Sequence, residues 1–152
     1  MRKLFLFIPF ILLVNSCTIV IGEEPSKHDR SFLSSSEKKS ANWNDIFSQQ
    51  ENEYYFYVYS ETCGYCRKLE PDIVHFSENR PIYYVLLDET IPIKPEREDL
   101  IGCEDFEKLF VLGTPTLFQI CEKKVKSCYI GFYEILEHIK EVTYTIETSN
   151  VL

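Results

Sequence analysis

Positive charge is scarce in this 152-residue chain: 16 Lys and Arg stand against 24 Asp and Glu, a formal net charge of −8. Such a surface repels phosphate backbones, which excludes nucleic acid as a partner. Cysteine is scarce for a stapled scaffold. The six present (Cys17, Cys63, Cys66, Cys103, Cys121 and Cys128) are too few to build a fold on disulfides. Only Cys63 and Cys66 have C-x-x-C spacing. A four-ligand zinc site needs a second pair of comparable spacing, and neither the other cysteines nor a histidine pair supplies one. No metal is expected. Core material is abundant: 45% of residues are hydrophobic and 14% aromatic, ample for one domain with appendages.

The longest apolar run lies at the start. Met1-Arg2-Lys3 is a short basic lead, residues 4–14 are apolar apart from Pro9, and Asn15, Ser16 and Cys17 follow. That is the layout of a secretory signal. Val14-Asn15-Ser16-Cys17 also resembles a bacterial lipobox, with Asn15 an imperfect fit. Three readings compete: a lipoprotein lipidated at Cys17, a plain cleaved signal, and an uncleaved anchor, since residues 18–21 prolong the run towards spanning length. Each sends the domain out of the cytoplasm. The organisation adopted is a signal over 1–16, lipidation at Cys17, a polar tether over 17–40, a domain over 41–142 and a tail over 143–152. The tether is serine-rich and without period, and cannot bury enough to fold alone.

The chain is organised around Ser60-Glu61-Thr62-Cys63-Gly64-Tyr65-Cys66. The apolar run 54–59 before it predicts a strand covered on both faces. Leu69, Ile73, Val74 and Phe76 after it predict a helix, kinked by Pro71. Cys63 then falls at a helix N-terminus, where unpaired N–H groups and the helix dipole favour a thiolate. Cys66 falls one turn in, within reach of a disulfide. This suits dithiol redox chemistry; half a zinc site or two inert core thiols are the competing readings. Further elements are a short amphipathic helix with Trp43, Ile46 and Phe47 on one face, and a strand over 82–87. A loop with Pro92 and Pro95 follows, then a helix over 97–112 on Leu100, Ile101, Phe106, Leu109 and Phe110. A hairpin of 116–120 with 125–130 and a closing helix over 132–142 complete the domain. Strands alternating with helices before a final hairpin predict an α/β fold, a mixed sheet with helices on both faces.

These features resemble the thioredoxin superfamily over residues 41–142. The C-x-x-C follows a buried strand, and Pro71 stands where thioredoxins carry their helix-kinking proline. Gly113-Thr114-Pro115-Thr116 resembles the family's cis-proline segment, and Gly131 its glycine after the last strand. Cys-Gly-Tyr-Cys is similar to the dithiol of periplasmic disulfide isomerases. Their dimerisation domain has no counterpart here. Two departures stand out: Tyr57 occupies the place of thioredoxin's buried aspartate, and Tyr84 that of the accompanying lysine. Losing both together is consistent, since either charge alone would be costly. The general base is left open between Glu61 and water.

The resemblance implies a protein-disulfide oxidoreductase without cofactor. Cys63 attacks a substrate disulfide, and Cys66 resolves the mixed disulfide. Gly64, Tyr65, Thr114 and Pro115 contact the substrate, whose chain lies along Thr114-Pro115 like an added strand. Partners are protein or peptide thiols and disulfides, a redox protein that recycles the dithiol, and a membrane holding the lipid anchor. The alternatives are a non-catalytic thioredoxin-like binding module and an accessory reductase of one export or maturation pathway. Cys121 and Cys128 bond only if the whole of 122–127 is loop. A two-residue turn at Glu122-Lys123 would set them roughly 13 Å apart. Cys103 is expected as a buried small hydrophobe.

Overall fold

The computed structural model describes residues 38–96 and 99–149, with side chains to 145. All belong to the second of two units, Met1–Arg30 and Ser31–Leu152. The expected signal over 1–16, the lipidation site Cys17, the tether up to residue 37 and the end of the tail lie outside the described residues.

β2 (Glu53–Tyr59) is the middle strand, and its burial explains its composition. Residues 54–58 are all buried. Tyr54, Phe56 and Val58 point to one face and Tyr55 and Tyr57 to the other, as the two-residue strand period requires. β3 (Ile82–Leu86) runs parallel to β2, placing Tyr57 opposite Tyr84. β4 (Thr116–Cys121) runs antiparallel on the other side, and β5 (Lys124–Ile130) pairs with β4. A two-residue β1 (Lys39–Ser40) completes the order β1-β3-β2-β4-β5. β1 was not expected, because those residues fall at the end of the polar tether. Its pairing to Tyr83 and Tyr84 carries no apolar signature; Lys39 Nζ also lies 5.2 Å over the Tyr83 ring.

α1 (Gly64–Ser77) and α2 (Gly131–Ser149) cover one face. Leu69, Ile73 and Phe76 of α1 pack with Ile135 and Ile139 of α2 over Tyr55, Tyr57 and Leu117. Each such side chain removed from water contributes about 1.5–3 kcal/mol. α2 runs past residue 142, through most of the segment left unassigned. The other face is covered by a 3-10 turn at Trp43–Asp45 and by the irregular segment between β3 and β4. Trp43 and Ile46 are buried there, as their spacing predicted.

The helix expected over 97–112 does not form. The described residues from 99 on are turns and coil. Two aspartates compete with a helix: Asp99 Oδ1 accepts from Ile101 N at 2.9 Å, and Asp105 Oδ1 from Glu107 N at 3.1 Å. Gly102 takes φ +81° and, with Cys103, bonds the β5 edge: Gly102 N donates to Val125 O (2.8 Å) and Val125 N to Cys103 O (2.9 Å). Leu100, Leu109 and Phe110 still point inward, whereas Ile101 is 68% exposed.

The β4–β5 turn is the tight alternative. Glu122 and Lys123 have φ +49° and +63°, and Cys121 pairs with Lys124. A register shift at Gln119/Ile120 puts Cys128 opposite Phe118. Cys103, Cys121 and Cys128 form no disulfide, and all three are half-buried.

A β2–α1–β3 parallel unit, an antiparallel β4–β5 hairpin, a closing α2 and the order β1-β3-β2-β4-β5 together make this the thioredoxin fold.

Candidate active site

β2 ends at Tyr59, and the chain turns through 60–63 before α1 begins. Cys63 is the N-cap. Its backbone is extended (φ −76°, ψ 111°), and its Sγ accepts from Cys66 N at 3.1 Å. Serine or aspartate usually fills this role; here a sulfur occupies it and takes up one of the amides that a helix start leaves without a backbone partner. Cys63 and Cys66 form a disulfide with Cα atoms 5.2 Å apart. Cys63 is half-buried and Cys66 fully buried, so the first sulfur alone faces an incoming group.

The loop before β4 closes over the pair. Thr114–Pro115 is a cis peptide bond, and Cys63 Sγ lies 3.4 Å from Thr114 O. Thr116 Oγ1 donates to Gly113 O at 2.8 Å, fixing the turn. Gly131 (φ +81°) donates its N–H to Pro115 O at 2.8 Å, which brings the start of α2 to the same end of the sheet. The structure therefore brings together Cys63, Gly64, Tyr65, Cys66, Thr114 and Pro115. Gly64 and Tyr65 are exposed beside Cys63, with Tyr65 at 53%.

Glu61 is exposed at the rim, and its backbone oxygen accepts from Arg67 Nη1 at 3.0 Å. Tyr57 and Tyr84 lie on the α1 side of β2 and β3, with their rings 6.0 Å apart and edge-on. Burial pushes the Tyr57 phenol well above its ordinary value; Tyr84, Glu70 and Tyr59 add to the rise. The Tyr57 hydroxyl has no protein hydrogen-bond partner. Lys38 Nζ pairs with Glu70 Oε1 at 3.3 Å and lies 5.6 Å over the Tyr84 ring.

Three further residues carry no motif in the sequence. Phe132 and Tyr133 open α2 beside Tyr65; their signal was only that aromatics follow the Gly131 break. His138 is buried in α2. Tyr129 stacks on its ring at 3.9 Å, and its Nε2 lies 3.3 Å from Tyr55 Oη. Burial pushes its pKa down to about 4, with Arg80 and Lys126 adding to the effect. Among the described residues no group of three or more His, Cys, Asp or Glu could hold a metal ion. No described helix is long and apolar enough to cross a membrane.

No protein-family model matches the chain, and no curated protein matches it. Solved structures do. Thioredoxin f2 of Chlamydomonas reinhardtii is 14% identical over 71% of this chain and 95% of its own, with a TM-score of 0.47. Plasmodium falciparum thioredoxin is 15% identical over 68% and 97%, with a TM-score of 0.48. Mitochondrial thioredoxin 3 of Saccharomyces cerevisiae is 14% identical over 68% and 94%, with a TM-score of 0.47. The fold assignment rests on this chain's own strand order, its cis Thr114–Pro115 and its Cys63–Cys66 turn.

Proposed function

We propose that the protein is a thiol–disulfide oxidoreductase working through Cys63 and Cys66. The observation that carries this reading is the Cys63–Cys66 bond at the N-terminus of α1, with one sulfur accessible and the other buried. In the reducing direction the Cys63 thiolate attacks one sulfur of a substrate disulfide. That S–S bond breaks, a Cys63–substrate disulfide forms, and the other substrate sulfur leaves as a thiolate that takes up a proton. Cys66 then attacks Cys63 Sγ and expels the second substrate thiolate. Two electrons and two protons pass from the dithiol to the substrate, and the reverse sequence oxidises a substrate dithiol. Direction depends on the poise of the pair, where about 30 mV corresponds to roughly 1.4 kcal/mol. The substrate backbone lies against Thr114–Pro115, and a redox protein recycles the dithiol.

Dithiothreitol-driven insulin reduction, followed by turbidity, tests the reading. Acceleration above dithiothreitol alone, lost in Cys63→Ser, is expected. No acceleration would favour a non-catalytic binding module, and acceleration retained in Cys63→Ser would refute Cys63 as the nucleophile.

The same reading takes the substrates to be exported proteins and the enzyme to be held at a membrane through Cys17, with 1–16 removed and the polar stretch that precedes β1 as tether. Its support is the sequence pattern of 1–17. Mass spectrometry of the native protein tests it: an intact Met1 or an unmodified Cys17 overturns the anchor.

A further inference from the structure

We propose that Tyr65, Phe132 and Tyr133 form an aromatic subsite selecting polypeptide disulfides that carry an aromatic side chain close to the reacting cysteine. The inference rests on the dithiol function proposed above and names its substrate class. Many of the large aromatic side chains are buried in the two cores, and Phe132 is half-buried against one of them. With the exposed Tyr65 and Tyr133 it forms a strip at the dithiol end. Tyr65 lies between the two cysteines in sequence, and its ring centroid is 5.9 Å from that of Phe132. Phe132 meets Tyr133 edge-on at 5.3 Å and 85°. Tyr133 is the most exposed of the large hydrophobics among the described residues, at 77%.

The strip is held in place. Gly131 ties the start of α2 to Pro115, and Glu134 Oε2 accepts from Ile130 N at 3.1 Å, bracing the first turn. Lys68 Nζ sits 5.4 Å over the Tyr65 ring, which leaves Tyr133 as the open member. Exposed aromatics on a fixed scaffold bind other rings at low entropic cost, edge-on or offset. Tyr65 stands two residues from Cys63 and Gly131 N bonds Pro115 O, so the strip lies at the end of the sheet where the Cys63 sulfur meets the Thr114 carbonyl and a substrate chain is engaged. An extended peptide advances ~3.4 Å per residue, so the strip reaches side chains within about three residues of the substrate cysteine.

The test uses two disulfide-linked peptide dimers, one with glycines around cysteine and one with tyrosine next to it. Reduced full-length protein is mixed with each, and second-order rates are normalised to those of dithiothreitol, which removes intrinsic differences between the peptides. The tyrosine peptide is expected to react ~3–10-fold faster, the range an aromatic contact supplies. Tyr133→Ala should bring the ratio close to one. Tyr144→Ala, which removes an exposed tyrosine about 16 Å further along α2, should keep it. A ratio of one in the unaltered protein, or a ratio that Tyr133→Ala leaves unchanged, overturns the subsite while leaving the dithiol function standing. Exchange with neither peptide overturns the dithiol function itself.

Discussion

His138 makes the fold sensitive to mild acid. Its ring lies between Tyr129, Tyr55 and Phe76 and is 7% exposed, with its pKa pushed down to about 4 by burial. Arg80 and Lys126 on neighbouring elements oppose its protonation as well. In the unfolded chain the ring returns to about 6.5. Between those values the unfolded state binds a proton that the folded state excludes, so stability falls as pH drops through this window and is fully present above it. At pH 5 the loss relative to pH 7.5 is about 2 kcal/mol. Carboxylates titrate lower. Glu51 is held down to about 2 by its bonds from Lys39 and Tyr83, so its contribution is lost only below about 4.5. Urea unfolding of the protein and of His138→Phe, at pH 7.5 and pH 5, isolates the histidine because both share every carboxylate. Phenylalanine suits the aromatic surroundings, although Tyr55 Oη loses its 3.3 Å partner. The variant should gain about 2 kcal/mol on the native protein between the two pH values, whatever its starting stability. Parallel profiles would refute a neutral buried imidazole.

Other outcomes follow from the site and the core. Cys66→Ser should accumulate mixed disulfides on non-reducing gels and Cys63→Ser should not; the reverse pattern would exchange the two roles. In the reduced protein iodoacetamide should modify Cys63 before Cys66, because only Cys63 has exposed surface; peptide mapping reads the order. Ile135→Ala should cost about 2–5 kcal/mol in urea unfolding, since Ile135 is fully buried between α2 and the sheet. A loss below 1 kcal/mol would mean that the helix collapses onto the gap.

Legibility varied with how local each signal was. The dithiol turn, its flanking strand and helix, the Thr114–Pro115 loop and the β4–β5 hairpin could all be read. Each is marked by punctuation or periodicity within a few residues. The segment over 97–112 misled because Leu100, Leu109 and Phe110 are core residues in coil as they would be in a helix. Asp99, Gly102 and Asp105 determine the backbone instead, through turns and a bond to Val125 that lies far off in sequence. β1 gives no pattern because Lys39 and Ser40 are exposed and bring no apolar side chain to the core. The Cys121–Cys128 question turned on the length of the turn, which Glu122 and Lys123 close tightly with positive φ although no Asn-Gly pair announces it. The strip of Tyr65, Phe132 and Tyr133 joins residues almost seventy positions apart, which only the folded chain brings together.

The tyrosines beneath the dithiol constrain how protons move in the proposed exchange. A base must lose its proton near working pH, and Tyr57 cannot, because burial raises its phenol well above 10. It therefore stays neutral while the cysteines react. The expelled substrate thiolate is itself a base, and Glu61 and solvent stand at the rim, so the proton lost by Cys66 has acceptors outside the core. Tyr57→Phe tests this directly. The substitution removes a hydroxyl that is buried without a protein partner and leaves the ring contacts with Tyr84 and Tyr59 in place. A buried unpaired hydroxyl costs about 1–3 kcal/mol, so the variant should be as stable as the native protein or more so by up to that amount. Its rate of insulin reduction should be unchanged from pH 6 to pH 9. A rate loss in a variant of undiminished stability would put the phenol in the proton path and refute the argument.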